Sequence, residues 1–116
     1  MLELKKNADV STMLLQTVIS ICVSDIGGIR TLPPRLLGKF YSIIRKDHLN
    51  NAIIQYDSDD NILVDIFIEV DYDQCILLKA QDLQKLIKNE IEIITGNTVK
   101  AVNVYVDRLS MPIKTN

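Results

Sequence analysis

The stretch NEIEIITGNTVKAVNVYVDRL, residues Asn89 to Leu109, decides how this chain folds. Its first part continues a pattern that begins at Lys79. Ala80, Leu83, Ile87, Ile91 and Ile94 recur at helical spacing, and Gln81, Lys85, Lys88 and Glu92 lie opposite them. Gly96 stops this helix, because glycine enters the left-handed cap conformation without a Cβ clash. Beyond it, Val102, Val104 and Val106 alternate with Asn103, Tyr105 and Asp107, the period of a strand with one face in the core and one in water.

Working outward, NAIIQY (residues 51–56) and NILVDIFIEVDY (residues 61–72) flank the turn-forming DSDD, so they read as a hairpin. In its second strand Val64, Ile66, Ile68, Val70 and Tyr72 share one face; Asp65, Phe67, Glu69 and Asp71 share the other. The helix after Lys79 then joins two strands and is long enough to cross over and set them parallel. At the start, Asp9 caps a first helix over Val10 to Ile26, which Gly27-Gly28 ends. Pro33-Pro34 permits a short second helix near Arg35 to Lys46. The expected fold is α+β: a two-layer sandwich with a mixed three-stranded sheet and two or three helices, in the order α-(α)-β-β-α-β.

Length and composition agree with one domain over residues 1–116, with 1–8 and 110–116 as loose tails: 116 residues, a net charge of -2, 47% hydrophobic and 24% charged residues suit a single folded core. The near-neutral charge argues against a general polyanion binder. The apolar centre of the first helix is interrupted by Gln16, Thr17 and Ser20 and is too short to span a bilayer, and no cleavage site follows it. Cys22 and Cys75 stand apart in apolar surroundings, as reduced core residues of a cytoplasmic protein do.

The raw material for catalysis is poor. His48 is the one histidine and has no nucleophile beside it in sequence, and no phosphate loop or nucleophile elbow occurs. Asp57, Asp59, Asp60 and Asn61 imitate the start of a calcium loop. However, Ile62 occupies the glycine position and Ile68 the closing glutamate position, so a solvated turn is the better reading. We assign no catalytic residue, no metal ligand and no cofactor. Two surfaces stand out instead. The first helix carries more apolar residues than one sheet-facing stripe requires, and Leu14, Leu15, Ile21 and Cys22 are candidates for a partner contact. Arg30, Arg35, Lys39, Arg45 and Lys46 form a basic block with no acid between Asp25 and Asp47, opposed to an acidic run over 57–73. Such a charge dipole steers partners or docks copies head to tail. Nucleic acid fits poorly: there is no GXXG loop, and Phe67 and Tyr105 stand among Asp65, Glu69, Asp71 and Asp107. The basic block is the surface an RNA-binding alternative would use.

Taken together, ILVDIFIEVDYDQCILLKAQDLQKLIKNEIEIITGNTVKAVNVYVDRL resembles the bacterial alkaline shock protein family. The matching points are the strand ending in Tyr72, Leu83 with Gln84, Ile87, Ile91, the Thr95-Gly96 pair and the run Val99, Val102, Asn103, Val104, Val106. VISICVSDIGGIRTL is similar to the family's first helix, and the resemblance covers about Val10 to Leu109. It implies a non-enzymatic cytoplasmic protein of cell-envelope stress response or lipid homeostasis, acting through protein partners. One such partner is a small membrane-anchored protein that holds some members at the membrane; other members form homo-oligomers. It also implies an alternative, regulation of fatty-acid synthesis through acetyl-CoA carboxylase.

Overall fold

The computed structural model describes residues 11–32 and 52–110. The expected second helix and Arg35, Lys39, Arg45, Lys46 and His48 lie outside the described residues.

Helix α1 spans Thr12–Ile26. Its cap is Ser11 rather than Asp9: the Ser11 hydroxyl oxygen accepts from the N–H groups of Met13 at 3.0 Å and Leu14 at 3.3 Å, two of the donors a helix start leaves without partners. As expected, the helix ends at Gly27. The chain then forms a strand that its sequence does not advertise, β1, Ile29–Leu32. The strands β2, Ala52–Tyr56, and β3, Ile62–Asp71, make the expected hairpin. Helix α2 covers Ile76–Thr95, three residues earlier than Lys79, and β4 runs over Val99–Ser110.

Among the described residues the sheet therefore has four strands, not three. β3 is its centre. β2 pairs antiparallel with the first half of β3, Ala52 opposite Ile66 through Tyr56 opposite Ile62. β1 pairs antiparallel with the second half, Ile29 opposite Val70 through Leu32 opposite Phe67. β4 pairs in parallel along the whole of β3, with irregularities between Ile62 and Leu63 and between Ile68 and Glu69. Since β4 takes one edge of β3, β1 and β2 must lie end to end along the other. The sheet is three ranks wide, as the pattern suggested, but one rank is made of two strands. β1 escapes detection because four residues show only two alternations, and its extended form comes from its partners on β3.

Alternation along β3 sorts the layers. Ile62, Val64, Ile66, Ile68 and Val70 are fully buried and meet Leu15 and Ile19 of α1 and Leu83, Ile87 and Ile91 of α2. Full burial of each such side chain contributes about 1.5–3 kcal/mol. Three expected core positions are not there: Tyr72 lies just past the strand, Ile94 turns outward and Val106 lies towards the end of β4, and all three are exposed. Thr95 is buried instead, its hydroxyl donating to the Ile91 carbonyl at 2.8 Å and accepting from the Asn97 N–H at 3.0 Å. The Asn97 side-chain amide in turn donates to the Asp60 carbonyl at 2.7 Å, fastening the end of α2 to the β2–β3 turn.

Candidate partner interface

Three surfaces can be compared. At the turn, both Asp57 oxygens are occupied: Oδ1 accepts from the N–H groups of Asp59 at 2.8 Å and Asn61 at 2.9 Å, and Oδ2 from the Asn61 amide at 3.2 Å and the Lys100 ammonium at 3.4 Å. These donors, the Asn61 N–H foremost, hold the carboxyl down at about 2. A carboxylate so occupied, by three N–H donors and the Lys100 ammonium, closes a turn and is poorly placed to hold a metal ion. Among the described residues no group of three His, Cys, Asp or Glu could hold a metal ion.

The outer face of the sheet is largely paired with itself. Phe67 and Tyr105 stack with centroids 4.8 Å apart. The Asn103 amide donates to Asp65 at 2.9 Å. Arg30, one of the basic candidates, lies 2.7 Å from Asp71 and 3.5 Å from Glu69, so its charge is met within the sheet. At the β4 edge, α2 supplies side chains to the strand's backbone. Gln84 donates to the Val102 carbonyl at 2.9 Å and Lys88 to the Val99 carbonyl at 3.3 Å, while Glu92 accepts from the Val99 N–H at 2.8 Å. The first part of this edge is thus blunted against pairing with another strand.

The helix layer differs. α1 and α2 run antiparallel, pinned where the Lys79 ammonium reaches the carbonyls of Ile26 at 3.4 Å and Gly27 at 3.1 Å. On the side away from the sheet they leave a groove of about 220 Å³. Val18, Ile21 and Cys22 of α1 line one wall and Leu86 and Ile94 of α2 the other, with Asp25 and Glu90 among them. Of the four apolar candidates on the first helix, Leu14 and Ile21 are exposed, at 47% and 56%. Leu15 and Cys22 are not available as contact residues: at 0% and 2% exposure they belong to the core, because they fall two turns apart on the buried face of α1. Cys22 still forms the floor of the groove. Burial, with Glu90 and Asp25 adding to it, pushes its thiol up to about 11, so it is neutral and unreactive near pH 7.

Sequence reasoning overlooked the α2 wall and the two carboxylates. The signal is a second stripe, Leu86, Glu90 and Ile94, four residues apart and offset from the sheet-facing Leu83, Ile87 and Ile91. Neither Asp25 nor Glu90 forms an ion pair or hydrogen bond among the described residues.

The uncharacterized protein Spy1614 of Streptococcus pyogenes serotype M6 is 24% identical over 105 residues, which cover 89% of this chain and 87% of that protein. No solved structure matches. A family model described by a cell envelope-related function matches residues 3–111, and the chain belongs to that family, the alkaline shock protein 23 family.

Proposed function

We propose that the chain is a non-enzymatic binding and scaffold module in cell-envelope stress response or envelope and lipid homeostasis. It works in the cytoplasm through protein partners and copies of itself. The observation that carries this reading is the contrast between surfaces. The turn, the outer sheet face and the start of the β4 edge pair many of their polar groups internally, whereas the helix layer exposes apolar side chains around two carboxylates that have no ion pair or hydrogen bond among the described residues. Among the described residues no helix is long and apolar enough to cross a membrane; in this reading a membrane-anchored partner holds the chain at the membrane.

The test is a crosslinked pull-down of the tagged protein from the cells that make it, with membrane and soluble fractions analysed separately. Recovery of a small membrane protein supports the reading. Recovery of acetyl-CoA carboxylase alone, or of RNA alone, from the soluble fraction would replace it. The RNA alternative has lost one of its five cations, since Arg30 is engaged by Asp71 and Glu69.

A further inference from the structure

We infer that the groove between α1 and α2 receives an amphipathic helix of a partner protein, apolar on one side and carrying Lys or Arg at its flank. This rests on the reading of the chain as a binding module and names the surface and the chemistry of its partner.

Shape comes first. Two antiparallel helices leave a furrow between their ridges, and a third helix laid into it buries apolar side chains on both walls. Val18, Ile21 and Cys22 follow one another along one side of α1 and share the groove with Leu86 and Ile94 of α2. A strand would fit poorly, since its side chains leave at a period of two and half of them would point away from the furrow.

Charge then selects among occupants. Asp25 and Glu90 line the same cavity as Cys22 and both help to raise its thiol, so the groove carries two negative charges beside its apolar floor. The nearby Lys79 ammonium is turned to the carbonyls that end α1. A second copy docked face to face through a two-fold would set these carboxylates against their own images, and like charges opposed at an interface are unfavourable. An anionic lipid surface would be repelled for the same reason. A helix with one or two cations beside its apolar stripe satisfies both features, and its cations would set the register along the furrow.

The experiment uses designed peptides about 14 residues long, about 21 Å as a helix. One has Leu on one face and Lys on the other, and its counterpart has Glu in place of Lys. Binding to the whole chain is read by fluorescence anisotropy. The Leu/Lys peptide should bind at least tenfold tighter than the Leu/Glu peptide and weaken as salt rises. The double variant Asp25→Lys, Glu90→Lys should reverse the preference. A control with the same change of net charge elsewhere, Asp59→Lys with Asp73→Lys, should leave it unchanged. Should the groove double variant misfold, Asp25→Asn with Glu90→Gln should still reduce the preference severalfold. Equal binding of the two peptides, no binding of either, or an equal loss in the control would overturn the inference. A pull-down that recovers a partner equally well with the groove variant would leave the binding-module reading standing and this inference refuted.

Discussion

Replacing Gln16 tests how α1 is tied to the sheet. Its side chain is 5% exposed, and its amide donates to the carbonyl of Ala52 at 2.8 Å, across 36 positions of sequence. Ala52 is itself buried and starts β2 opposite Ile66. A one-residue slip there would turn the strand's apolar side chains to the wrong face, so the bond fixes register as well as position. Gln16→Met keeps most of the volume and leaves the buried carbonyl without a donor, which costs about 1–3 kcal/mol. Gln16→Ala also opens a void and should cost more, about 2–5 kcal/mol. Against a total stability of about 5–15 kcal/mol for a domain of this kind, both losses are large. Urea unfolding followed by circular dichroism should give a lower midpoint with an unchanged slope for each variant, in the order wild type, Met, Ala. If Gln16→Met unfolded with the wild type while Gln16→Ala fell, the side chain would act by filling space and the hydrogen bond would contribute nothing.

Three further outcomes are expected. Because Asp57 titrates at about 2 in the folded chain against an ordinary 3.8, its contribution to stability is complete above about pH 4 and is lost as pH falls through 2; Asp57→Ala should flatten the pH dependence of the urea midpoint over that interval. Cys75 is exposed and Cys22 is buried with its thiol pushed up to about 11, so a maleimide at pH 7 should modify Cys75 alone, and both only after denaturation. Gly28→Ala should destabilise by about 1–3 kcal/mol in the same urea assay, since Gly28 has a φ of 75° and a Cβ there would stand 3.0 Å from Gln74 Cγ.

Strong periodicity made much of the fold legible. Leu83, Ile87 and Ile91, and the alternating Val64, Ile66, Ile68 and Val70, lie where their spacing placed them because burial on one face is what those spacings achieve. β1 was invisible because Ile29 to Leu32 is extended through its pairing with β3, a partner about 40 positions away. The first cap was misread because Asp9 and Ser11 are both good capping residues and only the geometry shows which one accepts the helix's N–H groups. On the candidate interface, the first helix exposes Met13, Leu14 and Ile21. Which residues are free could not be read there: Leu14 and Leu15 are neighbours of one type, and only the crossing of α1 over the sheet makes one exposed and the other core. Asp25 and Glu90 are 65 positions apart, from 25 to 90, and antiparallel packing of the two helices alone brings them to one groove.

The contact proposed for this chain is with a protein partner, through its helix layer. It is tested most directly by a photo-crosslinking amino acid placed in living cells at Ile21, on the groove, and separately at Tyr105, on the outer sheet face. A discrete crosslinked protein is expected from Ile21, absent from Tyr105 and lost when Asp25 and Glu90 are changed to lysine. Crosslinks from Tyr105 with none from Ile21 would contradict it.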